Sequence, residues 1–312
     1  MWLDVMDKTL EAEVKSKTNC FTYDFKALYD SLNPELVLGA LQEAAEECRP
    51  DWSQDFVKWL IDLVRMSLES SVGIVEGNWY KLKKGVPTGG SLCVQLANIT
   101  VYSIMRKAVY NDETIMNNIM SAKRYVDDGA GLFNGSREAF NSWIVSVNEK
   151  LCPFGLTIDE SCICPPSDYI AFLDIQFCFD SAGNLQTDLY TKPTDSRAYL
   201  NFNSAHPKHT FSGIVYSGCF RLRKIINNQD RLEKRLQELG HCFKNAGYPE
   251  SLTKNIIHKA LASERCLKRK SEKTQIEECA TPSGQLPVST CGSDVDLANS
   301  VKNKKFVGVI YF

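Results

Sequence analysis

Two adjacent carboxylates, Asp127 and Asp128, stand between β-favouring residues and a glycine in Arg124-Tyr125-Val126-Asp127-Asp128-Gly129. Carboxylates this close repel unless cations neutralise them, and hard divalent ions such as Mg²⁺ take carboxylate oxygens while keeping positions open for phosphate. The string therefore suits a metal site for phosphoryl chemistry. Taken alone, it equally suits an ordinary exposed Asp-Gly turn. A third acid, Asp24, closes the strand-like Cys20-Phe21-Thr22-Tyr23-Asp24, with Tyr29 five residues on. It is either a further metal ligand or the start of a turn or short helix. Lys83-Lys84-Gly85-Val86-Pro87-Thr88-Gly89-Gly90-Ser91-Leu92 sets three glycines and a proline beside two lysines. Such a bare backbone can approach a phosphate or base, or simply connect two elements.

The flanking patterns supply elements to position these groups. The apolar and aromatic run up to Asp127 predicts a strand, Asp128-Gly129 a turn, and Ala130-Gly131-Leu132-Phe133 a returning strand, so the acids belong at a hairpin tip. Asn33 can cap a helix that opens with Pro34 and runs to about Cys48. Phe56, Val57, Leu60, Ile61, Val64 and Leu68 form an apolar helical face, and Val72 to Leu82 alternates as a hairpin about Glu76-Gly77-Asn78. A long helix is predicted over Ser91 to Val109, and another over Ser136 to Lys150 with Phe140, Trp143, Ile144 and Val147 facing inward. Tyr169 to Phe179 and Leu185 to Tyr190 predict a second hairpin. From Thr191 onward the pattern turns helical: Gly213 to Asn227, a helix capped by Asp230 to about Ala246, a break at Gly247-Tyr248-Pro249, and a helix from Ser251 to about Lys270. Together these predict an α+β fold, an antiparallel sheet with helices on one face, followed by an all-helical segment with a helix-turn-helix look.

At 312 residues and 44% hydrophobic content the chain can bury a substantial core. No opening stretch has the pattern of a secretory signal and no segment has the apolar length of a membrane span, so a soluble intracellular protein without membrane partners is expected. The twelve cysteines are scattered, which suggests reduced thiols; Cys162 and Cys164, near Cys152, lack a second pair at zinc-finger spacing. The net charge of −2 conceals an asymmetry. Residues 1–191 carry 16 Lys+Arg against 27 Asp+Glu, whereas 192–270 carry 16 against 6 and all four histidines. That basic stretch is either a phosphate-backbone contact surface or a solvated helical face.

Asp24 with Tyr29, Val86-Pro87-Thr88-Gly89 and Tyr125-Val126-Asp127-Asp128 stand in the order and rough separation of the palm motifs of reverse transcriptases, which residues 18–270 resemble. Phe172-Leu173-Asp174-Ile175 falls where those enzymes have the primer-grip hairpin, and Phe154-Gly155-Leu156 where a short motif precedes it. Leu189-Tyr190-Thr191-Lys192-Pro193-Thr194-Asp195, then Tyr199-Leu200, Ser204, His206-Pro207, His209 and Arg221-Leu222-Arg223, is similar to the polymerases of Penelope-like retroelements.

The resemblance implies a right-hand polymerase palm and the organisation that goes with it. Residues 1–17 would be a helical remnant of fingers or palm, 18–191 the palm, 192–270 a basic helical thumb, 271–300 a flexible linker and 301–312 an orphan strand. It implies that Asp24, Asp127 and Asp128, with the Phe25 carbonyl, hold two Mg²⁺ ions, replaceable by Mn²⁺. Tyr29 takes the place of the gate against a ribose 2′-hydroxyl, and Pro87, Thr88 and Gly89 lie against the nucleotide. Phe172, Leu173 and Asp174 form the primer grip, while Lys192, Arg197, His206, His209, Arg221, Arg223 and Lys224 contact nucleic acid. The implied partners are an RNA template, a DNA primer and deoxynucleoside triphosphates, and the implied compartment is the nucleus.

The sequence also departs from that pattern. Thr88 stands where many reverse transcriptases have glutamine, and Asp159-Glu160-Ser161, not a lysine, follows Phe154-Gly155-Leu156. Only 23 residues precede Asp24, so the fingers motifs expected upstream are not in this sequence, and a truncated core is the expectation. Val307-Gly308-Val309-Ile310-Tyr311 echoes the first strand of the GIY-YIG nuclease that this family can carry; otherwise it is an edge strand of the sheet. The expected function is an RNA-directed DNA polymerase core. The alternative is an inactive remnant that binds nucleic acid through 192–270, and a two-metal nucleotidyl cyclase is a third reading that Tyr29 and the basic segment oppose.

Overall fold

The computed structural model describes residues 18–263 and 306–309. The expected helix over 1–17 and linker over 271–300 lie outside the described residues. The described residues divide into two compact units, one of 18–197 with 306–309, the other of 198–263.

The first unit is built on a five-stranded sheet in the order β10-β4-β5-β1-β6. Its strands are β1 (Asn19–Phe25), β4 (Ile119–Tyr125), β5 (Asp128–Phe133), β6 (Ile158–Cys164) and β10 (Phe306–Val309). All pairings are antiparallel except the edge pair, where β10 runs parallel to β4. Phe306–Val309 of the closing apolar run is thus an added edge strand of this sheet. Strand alternation puts Phe21, Tyr23 and Phe25 of β1 on one face and Cys20, Thr22 and Asp24 on the other.

Helices cover the first of these faces. A short α1 (Leu28–Ser31) follows β1, then α2 (Pro34–Cys48) and α3 (Gln54–Glu69). Asn33 caps α2 by accepting from the Glu35 amide at 3.0 Å, and Ser53 caps α3 through the Phe56 amide at 3.2 Å. Next come the exposed hairpin β2 (Val72–Val75) and β3 (Asn78–Lys81), and α4 (Cys93–Met105). The long helix predicted to Val109 changes at Arg106–Tyr110 into one π turn. After the single turn α5 (Glu113–Met116) and the β4–β5 hairpin, α6 (Arg137–Leu151) packs its aromatic face on the sheet. Phe140 lies 5.2 Å from both the Phe21 and the Phe133 ring centroids, and Trp143 lies 5.5 Å from Phe21.

A second sheet of β7 (Ile170–Phe172), β8 (Ile175–Phe179) and β9 (Leu185–Leu189) completes this unit. The stretch predicted as one strand from Tyr169 to Phe179 is two strands, because Leu173 takes a left-handed φ of 57° and reverses the chain.

The other unit holds α7 (Lys208–Ile225), α8 (Gln229–Asn245) and α9 (Glu250–Ala262). Helix α7 begins five residues before the predicted Gly213. Helix α8 is capped by Asn228, whose side chain accepts from the Arg231 amide at 3.0 Å, and not by Asp230, which falls in the first turn. An acid there opposes the positive end of the helix dipole, so both residues favour the same start. Leu232, Leu236, Leu239 and Phe243 of α8 are buried. Tyr199, Phe202, Phe211 and Tyr248 join them in an aromatic cluster, with centroids 4.6 Å apart for Tyr199–Phe243 and 4.9 Å for Phe202–Phe211.

Because Phe140 bridges β1, β5 and Trp143 at full burial, Phe140→Ala should cost about 3–5 kcal/mol of unfolding free energy. Urea titration followed by tryptophan fluorescence reads this as a lower midpoint. A midpoint within error of wild type would mean that α6 does not anchor the sheet.

Candidate active site

The central strands bring two of the three acids face to face. In the β1–β5 register Asp24 is directly opposite Asp128, and Tyr23 is opposite Gly129. The turn joining β4 to β5 is Val126-Asp127, so Asp128 and Gly129 already belong to β5. Gly129 therefore does not make the turn that Asp128-Gly129 predicts. Its role is to leave room: a Cβ there would come within 2.1 Å of the Tyr23 ring. The reversal falls on Val126, a β-branched residue at φ 54°, a conformation that costs about 1–3 kcal/mol. Asp127 is tied to β1 through its carbonyl, which accepts from the Phe25 amide at 3.1 Å.

The electrostatics follow from this crowding. Burial, then the charges of Asp127 and Asp159, push the Asp24 carboxyl above its usual range, with the Phe25 amide pulling partly back. Burial, then Asp127 and Asp24, push Asp128 up to about 6, partly offset by the Lys192 ammonium. Asp24 Oδ1 is buried and accepts no hydrogen bond among the described residues. A buried acceptor left without a partner, within a group of repelling acids, fits a cation ligand. The acids do not form a closed cage: among the described residues no three His, Cys, Asp or Glu side chains converge to hold an ion by themselves. That too is compatible with Mg²⁺, which keeps several waters and takes one or two carboxylates plus substrate phosphates.

Tyr29 and the glycine loop meet the same region. Burial, then the charge of Asp127, raises the Tyr29 phenol, placing it near the acids. The Val86 amide donates to the Tyr29 carbonyl at 2.8 Å and the Gly85 amide to the Leu32 carbonyl at 3.0 Å, so the loop is docked along α1. Gly85 is at φ 90°, and a Cβ there would lie 2.9 Å from the Tyr29 carbonyl oxygen. Pro87 is half-buried, while Thr88 and Gly89 are exposed with open space around the Gly89 Cα. Phe172 is buried and Leu173-Asp174 forms the β7–β8 turn, its Asp174 carbonyl accepting from the Tyr190 amide at 2.9 Å.

Lys192 and Arg197 are exposed residues of the first unit; His206, His209, Arg221 and Lys224 are exposed in the second. Arg223 is committed within its own unit, donating to the Ser263 carbonyl at 2.7 Å and to Gln229 Oε1 at 3.3 Å. Three groups near the acids carried no expectation from sequence. Asp159 faces Asp24 across β1–β6, and Lys26 pairs with Asp159 at 3.6 Å. Arg124, one residue from Tyr125, is buried behind them. A charged residue in register with buried Ala122 was the one signal available for it. The thiols of Cys20, Cys162, Cys164 and Cys178 share one neighbourhood, and burial raises Cys20, Cys164 and Cys178, with Cys164 pushed up to about 12 and Cys178 to about 11. Cys20 and Cys178 are buried and fill space as small apolar groups, Cys164 is half-buried and Cys162 is exposed.

Comparison with known proteins gives one family-model match and several structural ones. The animal helix-turn-helix domain model matches residues 198–258. No curated protein matches the chain. Among solved structures, Candida albicans telomerase in complex with a TWJ fragment of telomeric RNA is similar with a TM-score of 0.56 at 14% identity, over 81% of this chain and 43% of that one. Apo telomerase from Candida tropicalis gives a TM-score of 0.48 at 13% identity, over 83% and 44%. The chain thus spans less than half the length of the telomerase chains it matches. Its fold is of the reverse-transcriptase type, a palm-like mixed helix and sheet unit, and its second unit is of the helix-turn-helix type. No helix among the described residues is long and apolar enough to cross a membrane.

The raised Asp128 pKa carries a definite sign. Its contribution to stability is fully present below the ordinary carboxylate value of 3.8 and is lost as pH rises through about 6. Without divalent cations, Asp128→Asn should therefore melt above wild type at about pH 8, by roughly 2–4 °C per kcal/mol relieved, with the difference shrinking toward about pH 4. Millimolar Mg²⁺ should raise wild type and not the variant. Scanning calorimetry across pH checks this, and a difference flat in pH would show that the acids do not repel.

Proposed function

We propose that this chain is the core of an RNA-directed DNA polymerase of the Penelope-like retroelement type, transferring deoxynucleotides to a primer 3′-hydroxyl on an RNA template. The observation that carries the proposal is the direct opposition of Asp24 and Asp128, with Asp127 beside them and Asp24 Oδ1 unpartnered, within a fold of the reverse-transcriptase type. Asp24, Asp127 and Asp128, with the Phe25 carbonyl, would hold two Mg²⁺ ions (Mn²⁺ as substitute), which when bound supply activation of the primer hydroxyl and stabilisation of the departing pyrophosphate.

The chain's own residues then select and orient. Tyr29, held by the Val86 amide and close to Asp127, narrows the space a ribose 2′-hydroxyl would need. Pro87, Thr88 and Gly89 present an open backbone to the nucleotide, and the β7–β8 turn at Phe172, Leu173 and Asp174 bears on the primer strand. The basic residues from Lys192 onward supply salt-sensitive contact with phosphate backbones and little sequence readout. The telomerase of similar fold was solved with RNA, which supports a nucleic-acid partner here. The strings from Leu189 to Arg223 support the Penelope-like assignment, and with it a nuclear setting. The helix-turn-helix match over 198–258 also favours a second reading, binding to nucleic acid without turnover.

Primer extension separates the two readings. The purified chain, given a primed RNA template, deoxynucleotides and Mg²⁺ or Mn²⁺, should extend the primer, and Asp127→Asn should reduce the rate by about 10²–10³-fold or more. Duplex binding without extension would leave the binding reading standing in its place. Tyr29→Ala should raise ribonucleotide incorporation by about 10- to 100-fold, measured by competition with deoxynucleotides. Unchanged discrimination would remove Tyr29 from the gate.

A further inference from the structure

Arg124 is among the largest fully buried side chains described, at 1% exposure, and no carboxylate pairs with it among the described residues. A guanidinium taken out of water without a counter-charge is costly, so its hydrogen bonds indicate what it is kept for. Nη1 donates to Asn98 Oδ1 of α4 at 3.0 Å and to the Val126 carbonyl, and Nη2 donates to the Asn98 carbonyl at 3.2 Å. The Tyr110 hydroxyl, from the π turn after α4, also interacts with it, and Nε has no partner. Two of the bonds therefore fix the guanidinium to one helix residue, and the third reaches the peptide where the strained turn begins.

The sheet register shows on which side this happens. Arg124 is opposite Gly129, which is opposite Tyr23, so all three lie on the helix-covered face, whereas Asp24, Asp128 and Tyr125 lie on the other. Arg124 thus acts through the backbone and not by pairing with the acids. A β-branched residue at φ 54° persists only where its surroundings over-determine it, and a bond to its carbonyl from a fixed guanidinium does so.

We propose that Arg124 is a positioning residue: from the helix face it clamps the Val126 carbonyl and holds the Val126-Asp127 turn, and with it the acids that follow, in place. The link to metal binding rests on the function proposed above; the clamp itself does not. Lysine cannot replace it, since one ammonium on a flexible stem does not span the Val126 carbonyl and both Asn98 oxygens in a planar fork.

The test uses the full chain and two variants, Arg124→Lys and Asn98→Ala, the second loosening the guanidinium while leaving it present. Hydrogen exchange at the Phe25 amide, which donates to the Asp127 carbonyl, reports the turn. Both variants should exchange there at least about tenfold faster than wild type, with amides of α6 unchanged. Binding of Mn²⁺ alone, followed by electron paramagnetic resonance, should weaken by about 10- to 100-fold. If Arg124→Lys does not fold, Asn98→Ala carries the test. Unchanged Phe25 exchange, or acceleration spread evenly over the sheet, would overturn the proposal. Faster Phe25 exchange with unaltered Mn²⁺ binding would sustain the clamp and refute its link to metal binding, whereas wild type that binds no Mn²⁺ would refute the metal role of the acids.

Discussion

Like charge held at close quarters is the constraint on which this molecule turns. Asp24 and Asp128 sit directly opposite one another on adjacent strands, with Asp127 at the intervening turn and Asp159 on the neighbouring strand. Left to themselves such groups would splay apart or take up protons, and burial together with the neighbouring charges raises the Asp24 and Asp128 carboxyls. What opposes it is rigidity on the far side of the sheet: the aromatic layer of Phe21, Phe133, Phe140 and Trp143, and the Arg124 clamp on the Val126 carbonyl. Stability is spent to keep this arrangement, which the cations proposed above would relieve.

The two faces of the sheet therefore have separate duties. One is apolar and aromatic and fixes the strands; the other carries the acids and, farther along β1, the thiols that pack toward β8. Strand alternation enforces this separation, since a slip of one residue would exchange the acids with the core aromatics. The docking of Gly85 and Val86 on the backbone of Tyr29 and Leu32 extends the same logic, fixing Tyr29 by main-chain bonds that glycine at position 85 allows.

The helical unit shows a different balance. Its core of Leu232, Leu236, Leu239, Phe243 and the aromatics around Tyr248 is conventional, and its basic side chains divide between structure and surface. Arg223 is bonded to Ser263 and Gln229, while His206, His209, Arg221 and Lys224 face solvent. A count of basic residues overstates the exposed basic surface by those used for packing.

The sequence by itself determined the elements and the chemistry at their ends. Alternation marked β1, β4 and β5, helical spacing marked α2, α3, α6 and the three later helices, and the acids fell at strand ends. Those are local properties, set by side-chain period and by caps such as Asn33 and Ser136. Only the tertiary structure decided that Asp24 opposes Asp128 in register, that Gly129 yields space to the Tyr23 ring instead of making the turn, that Tyr29 is bonded to the glycine loop, and that Arg124 is buried. The split of β7 from β8 and the Asn228 cap belong with these, since nearby residues offered competing local solutions. Apart from those last two local choices, each depends on which residues meet across long separations, a question that local period and propensity do not address.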